Sequence, residues 1–169
     1  MSIKMIEQRL ISYAVSSEFE ERQALREITQ EVILASLGRT GFFNQAAFQG
    51  GTCLRIFHGL RRFSEGLDFT LLKPNPEFAW QEYLGQVIRD VASFGYEMEV
   101  TDRHDVESAV RLAFLKDEAV GKILQLHYAG KSSMLGKIRI KLEIDTNPPL
   151  GGHSEVKYMD FPYLSPVTL

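Results

Sequence analysis

Three short stretches of this sequence carry residue types that could do chemistry together. Gly50-Gly51-Thr52 is a glycine pair followed by a hydroxyl. Where such a pair ends a strand and opens a helix, backbone can approach a ligand closely and the free N–H groups favour a phosphate. The same pair also serves as a plain turn. Asp68 lies in Phe63-Ser64-Glu65-Gly66-Leu67-Asp68-Phe69, between two apolar residues. Strand alternation sends Leu67 and Phe69 to the core and the Asp68 carboxylate the other way; the alternative is a strand-edge acid paired with an arginine. The third stretch alternates Ile138, Ile140, Leu142 and Ile144 with Arg139, Lys141, Glu143 and Asp145. Alone it reads as a solvated sheet face. Beside the Asp68 strand it would bring Glu143 and Asp68 to one face, and converging carboxylates next to a phosphate-binding turn describe a Mg²⁺–nucleotide site. Arg55, Arg61 and Arg62 form a basic cluster nearby that could steer triphosphate or RNA, or pair with Glu65 or Asp68.

Positioning these residues requires strands and helices in a particular order. The spacing of Ile3, Ile6, Leu10, Tyr13 and Ala14 predicts a helix over about residues 3–15. Ser17 and Glu20 form a capping box for a second helix running to about Leu37, with Leu25, Ile28, Val32 and Ala35 inward and Gly38 as its stop. Phe42 to Gln49 reads as a strand, Thr52 to His58 as a short helix, and Leu67 to Leu72 as the next strand. Asn75 and Pro76 open a third helix, whose apolar stripe runs from Trp80 to Val91 and which Gly95 closes. The period then changes to two: strands are expected around Tyr96–Val100, Val110–Phe114, Leu124–Tyr128 and Ile138–Ile144, with residues 129–136 as a hairpin loop. Pro148-Pro149 and Gly151-Gly152 break the last strand, and Val156–Leu169 reads as irregular or edge structure. The order implies an α+β fold, a mixed β-sheet with flanking helices, in a single domain over residues 1–169: two N-terminal helices at about 3–37 and a sheet core at about 42–147.

Composition narrows the function classes. With 169 residues, 44% hydrophobic and 24% charged, the chain can bury one ordinary core. A net charge of −3 does not advertise a general nucleic-acid binder, although a local basic patch is compatible with it. The lone Cys53 allows no internal disulfide and no cysteine-based metal site, and reads as a packing residue. No signal peptide and no stretch of about 20 apolar residues is present, so a cytoplasmic protein without membrane association is expected. His58, His104, His127 and His153 lack metal-ligand spacing. Phe42, Phe43 and Phe48 read as core. Neither a Walker-type motif nor a nucleophile elbow is found, which sets aside a plain kinase or hydrolase.

The motifs in order resemble the AbiEii-type toxins, within the polymerase-β-like nucleotidyltransferase superfamily. The family pattern looks like Gly-Gly-Thr-Ala-Leu-Arg followed by Arg-Phe-Ser-Glu-Asp-Leu-Asp-Phe. This chain has Gly50-Gly51-Thr52-Cys53-Leu54-Arg55 and Arg62-Phe63-Ser64-Glu65-Gly66-Leu67-Asp68-Phe69. The segments Ala113-Phe114-Leu115-Lys116 and Lys141 to Pro149 also look like that family, and the resemblance spans roughly residues 45–165. It implies the nucleotidyltransferase fold and transfer of a nucleotide from Mg-NTP to an acceptor such as a tRNA 3′ end, with a cognate antitoxin as partner. Carried over by position, Gly50, Gly51, Thr52, Arg55 and Lys141 would bind the nucleotide. Asp68, Glu143 and Asp145 would be the metal acids, with Asp68 and Glu143 catalytic. Ser64 would be a catalytic-site serine open to modification.

Two departures qualify what the resemblance implies. Gly66 stands where the pattern has the first Asp of Asp-x-Asp. Residues 66 and 68 share a face, so one carboxylate is missing there, and Glu65 could replace it only through a bulge. The family's C-terminal helical region, with a lysine and an Arg-Asp-x-x-Asp-like motif, is expected to be absent. Transfer is accordingly expected to be weak or lost, and the alternative is an inactive relative acting as a nucleotide-, RNA- or protein-binding module.

Overall fold

A computed structural model describes residues 3–103, 108–120, 124, 137–162 and 165–169. The element order is α1 (Ile3–Ser12), α2 (Glu18–Arg39), β1 (Ala46–Gln49), α3 (Gly50–His58), β2 (Gly66–Leu71), α4 (Gln81–Ala92), β3 (Met98–Arg103), β4 (Val110–Asp117), β5 (Ile138–Asp145), β6 (Val156–Met159) and β7 (Ser165–Thr168). Five strands form one mixed sheet in the order β1-β2-β5-β4-β3, and β6-β7 form a separate pair. Among the described residues β2 and β5 run parallel, and the β1-β2, β5-β4 and β4-β3 pairings are antiparallel. The α+β reading of the sequence is correct. No helix among the described residues is long and apolar enough to cross a membrane.

Alternation divides the sheet into two faces. Leu67, Phe69 and Leu71 on β2 and Ile138, Ile140, Leu142 and Ile144 on β5 are buried beneath the helices. Their neighbours in sequence point to the other, open face, which carries Asp68, Lys141 and Glu143.

The second helix differs from a surface helix. Ser17 caps it, its hydroxyl accepting from the Glu20 N–H, as the capping box requires. Yet 14 of its 22 residues are buried, polar ones included, because α1, α4, β5 and β7 all pack around it. Its buried acids are satisfied. Arg9 grips Glu31 with two hydrogen bonds of 3.1 and 2.6 Å, the Tyr13 hydroxyl donates to Glu27 at 2.6 Å, and Arg55 also pairs with Glu27. Burial pushes the Glu31 carboxyl up to about 7, with Arg9 opposing.

Several expected boundaries move. Phe42–Asn44 is a 3₁₀ turn rather than strand, since the chain enters it through Gly41 in the left-handed region (φ 82°) and Asn44 N–H donates back to the Gly41 carbonyl. The strand is therefore only four residues. The third helix begins at Gln81, not at Asn75: the Asn75 side chain accepts from Glu77 N–H in a local turn instead of capping a helix. The tail is more regular than expected, since β6 and β7 pair and β7 packs on α2 and β1. The expected Leu124–Tyr128 strand and the 129–136 loop lie, apart from Leu124, outside the described residues.

Phe42 is the centre of the aromatic core. It stacks on Trp80 at 5.5 Å and meets Phe43, Phe69, Phe78 and Tyr83 edge-on. Trp80 is also buried, and its indole N–H donates to the Arg111 carbonyl at 3.1 Å, tying α4's start to β4. Phe42→Ala should lower unfolding free energy by about 3–5 kcal/mol, the usual cost of removing a buried ring. Urea denaturation followed by fluorescence measures it, and a loss below about 1 kcal/mol would contradict Phe42's central place in the core.

Candidate active site

The site forms where β1, β2 and β5 place three sequence stretches side by side. At the end of β1 the chain turns at Gly50, whose φ is +82°. A Cβ at Gly50 would lie 2.5 Å from Asp68 Oδ2, so only glycine lets the carboxylate rest against this turn. A Cβ on Gly51 would stand 3.2 Å from the Ser64 hydroxyl, which places Ser64 over the second glycine. The parallel register sets Asp68 opposite Glu143, Gly66 opposite Lys141 and Thr70 opposite Asp145. Cross-strand partners on one face are the closest neighbours a sheet offers.

The electrostatics follow from this register. Burial raises the Asp68 carboxyl to about 6, the adjacent Glu143 carboxylate adds to the rise, and Lys141 opposes it. Lys141 Nζ lies 2.9 Å from Glu143 Oε1, so an internal ammonium offsets part of the paired negative charge. A cleft of about 650 Å³ opens above them. Its lining brings four cations, Arg26, Arg62, Arg139 and Lys141, against three carboxylates, Glu65, Asp68 and Glu143. A chain of net charge −3 thus presents a locally cationic cleft, suited to an anionic ligand.

The loop that carries Ser64 is fixed from α2 and α3. Gln30 Nε2 donates to the Ser64 carbonyl at 3.0 Å, and Arg26 reaches Glu65 at 3.7 Å. Arg55 donates to the Arg61 carbonyl at 2.6 Å and lies 3.7 Å over the Phe63 ring. The Thr52 hydroxyl is fully buried and donates to the Gly66 carbonyl at 2.5 Å, joining α3 to β2.

The structure thus brings Gly50, Gly51, Ser64, Asp68, Lys141 and Glu143 together. It places three other expected residues differently. The Thr52 hydroxyl is committed to Gly66 and turned away from solvent, which leaves only its backbone for a ligand. Arg55 is held by Glu27 and the loop carbonyls and lies outside the cleft lining. Asp145 shares the open face with Glu143 but lies one step further along β5, accepting from Asn147 N–H. Glu65 is exposed and engaged by Arg26.

Among the described residues no three metal-binding side chains converge. Two carboxylates do, and their geometry still fits a hard divalent cation of the Mg²⁺ type, which commonly takes one or two protein carboxylates and fills its shell with phosphate and water.

The sequence reading misses Arg26 and Gln30 and names Phe114 and Arg139 as strand residues rather than as part of a site. Arg26 and Gln30 are one helical turn apart, and nothing in their own neighbourhood marks that face of α2 as the one against the Ser64 loop.

A family model described as nucleotidyl transferase AbiEii toxin, type IV TA system, matches residues 32–168. Two solved structures are similar in fold. One is an H. pylori protein described as a candidate nucleotidyltransferase, with 22% identity and a TM-score of 0.51 over 78% of this chain and 49% of that one. The other is JHP933 from Helicobacter pylori, with 23% identity and a TM-score of 0.55 over 83% of this chain and 50% of that one. The chain therefore spans about half the length of these structures. No curated protein matches it.

The Asp68 titration predicts a pH effect on stability. A carboxyl raised in the folded state above its ordinary value of 3.8 takes up a proton on folding at intermediate pH. Its contribution is full below that value and declines as pH rises through about 6. Because the group is half exposed, the effect at neutral pH should be discounted to about 1 kcal/mol or less. Asp68→Asn should remove this decline and hold its stability better between acid and neutral pH. Denaturation midpoints across that range test it; parallel wild-type and variant profiles would refute it.

Proposed function

The chain belongs to the AbiEii family of nucleotidyltransferase toxins, and from that membership we propose that its cleft binds an NTP with Mg²⁺ and transfers the nucleotide to an acceptor hydroxyl, such as that at a tRNA 3′ end. The observation that carries this reading is the placement of Asp68 opposite Glu143, against the Gly50 turn. In the proposed reaction the acceptor oxygen attacks the α-phosphorus, the bond to the pyrophosphate oxygen breaks, and pyrophosphate leaves. Such transfer depends on placement and charge neutralisation rather than on a covalent enzyme intermediate.

Each residue has a part that its geometry supports. The Gly50–Gly51 turn admits phosphate oxygens close to backbone N–H groups. Asp68 and Glu143 would hold the metal, which supplies neutralisation of the charge on the transferred phosphoryl group. The same carboxylate pair lies where it can receive the acceptor's proton. Lys141 can exchange its bond to Glu143 for a phosphate oxygen. Arg62 lies beside Gly51 and extends the cationic wall. Ser64 borders the turn, so modifying its hydroxyl would put bulk and charge where phosphate would lie. A cognate antitoxin and a cytoplasmic site of action complete the proposal.

One observation favours a second reading, a nucleotide- or RNA-binding module without transfer. Gly66 faces Lys141, so a lysine rather than a second Asp borders the carboxylate pair at that level. A Cβ at Gly66 would meet the Lys141 carbonyl oxygen at 3.1 Å, a tight contact requiring a small shift of β5. Transfer from α-labelled NTP to RNA, with thermal shift by Mg·NTP in parallel, separates the two readings. Asp68→Asn should cut transfer at least about 100-fold, in line with losing a central charge-stabilising group. Gly66→Asp should tighten divalent binding if β5 yields. Nucleotide-induced stabilisation without transfer, in both wild type and Gly66→Asp, would establish the binding module instead.

A further inference from the structure

On the open sheet face, Phe114 lies between two arginines from the strands on either side of β4. The Arg139 guanidinium carbon sits 4.0 Å over the ring centroid and that of Arg103 sits 5.3 Å from it. The register explains the arrangement. Phe114 is opposite Lys141 on β5 and Thr101 on β3, so Arg139 and Arg103 reach it diagonally from opposite directions. Among the described residues, neither guanidinium has a carboxylate within ion-pair distance. Arg139 lines the cleft with its guanidinium over the ring, and Arg103 approaches the same ring from the β3 side.

The position relative to the carboxylate pair decides what this platform could hold. Across the sheet the order is the Gly50 turn at the end of β1, Asp68 on β2, Glu143 on β5, and Phe114 on β4. Phe114 is the diagonal neighbour of Glu143, about 7–8 Å away by sheet geometry. Attacking and leaving oxygens lie on opposite sides of the phosphorus in phosphoryl-type transfer. With polyphosphate at the turn, the acceptor must come from the β5–β4 side.

We propose that Phe114, Arg139 and Arg103 form the acceptor subsite, on which the terminal base of a single-stranded nucleic acid stacks while its hydroxyl reaches Asp68 and Glu143. The proposal rests on the transfer reading for its direction of approach. Its chemistry is that of known single-strand platforms: a cationic groove with bases stacked on aromatic rings or guanidinium planes. The base lies on the Arg139 plane, backed by Phe114, and Arg103 and Lys141 meet the adjoining phosphate.

The test uses the full chain and measures two affinities in parallel, for fluorescently labelled short single-stranded RNA or DNA by anisotropy and for Mg·NTP by calorimetry. Arg139→Ala and Phe114→Leu should each weaken single-strand binding about 5- to 100-fold, the range for losing one stacked base. Mg·NTP affinity should fall by a clearly smaller factor than strand affinity in each variant. Arg139→Lys keeps the charge but loses the plane, so it should weaken binding nearly as much as the alanine variant. Retained binding in Arg139→Lys, or unchanged binding in both Arg139→Ala and Phe114→Leu, overturns the stacking subsite. Wild type that binds Mg·NTP but no single strand overturns it while leaving the transfer reading intact. Variant-sensitive strand binding without any Mg·NTP binding keeps the strand site and removes the transfer reading. An RNA-over-DNA preference identifies the natural strand.

Discussion

The whole arrangement depends on one constraint, the register of the parallel pair β2 and β5. β2 and β5 each bury one apolar face beneath α2 and its neighbours, and a slip of one residue would drive Asp68 and Glu143 into that core. The hydrophobic residues thus hold two like charges opposite each other, where neither carboxylate would settle unaided. Burial raises the Asp68 titration, the repulsion adds to the rise, and Lys141 partly offsets it. A site that stores unbalanced negative charge and then rings it with guanidinium groups is prepared for a cation and an anionic ligand together. An acidic pair alone would favour the cation only.

The helices contribute to this constraint less obviously. α2 lies nearly surrounded, and its buried acids pair outward to α1 through Arg9 and Tyr13 and toward the site through Arg55. Arg55 in turn holds the Arg61 carbonyl, and Gln30 holds the Ser64 carbonyl. The loop bordering the glycine turn is therefore fixed by side chains of a central helix. Its hold on Ser64 and Gly51 depends on that buried polar network, in which a single lost partner leaves another charge uncompensated.

Much of this was legible in the sequence, for identifiable reasons. Alternation at Ile138–Asp145 and around Asp68 is a local signal, and it placed the carboxylates on the open face correctly. The spatial meeting of Asp68 with Glu143 depends on strand order, which local pattern does not encode; it came from the resemblance of ordered motifs. The roles of Glu27, Gln30 and Glu31 were not legible. A helical wheel assigns polar residues to solvent, and only tertiary packing encloses α2 on all sides. The resemblance assigns Thr52 and Arg55 to the nucleotide. Their side chains face the protein instead, one sealing α3 to β2 and the other bracing the loop. The 3₁₀ turn at Phe42–Asn44 was hidden because three apolar or neutral residues before a strand look like more strand.

Gly66 and Lys141 are best considered as one feature. They face each other across β2 and β5, and the near contact of a Gly66 Cβ with the Lys141 carbonyl means that the strands approach closely at this point. A side chain at 66 would push against β5, the strand that carries Glu143. With glycine at 66 a lysine lies in reach of one of the two acids, and its ammonium offsets part of the pair's charge. Gly66 thus leaves the balance of the cleft toward anions, and ligand phosphates, rather than protein oxygens, would be the main partners of a metal held there.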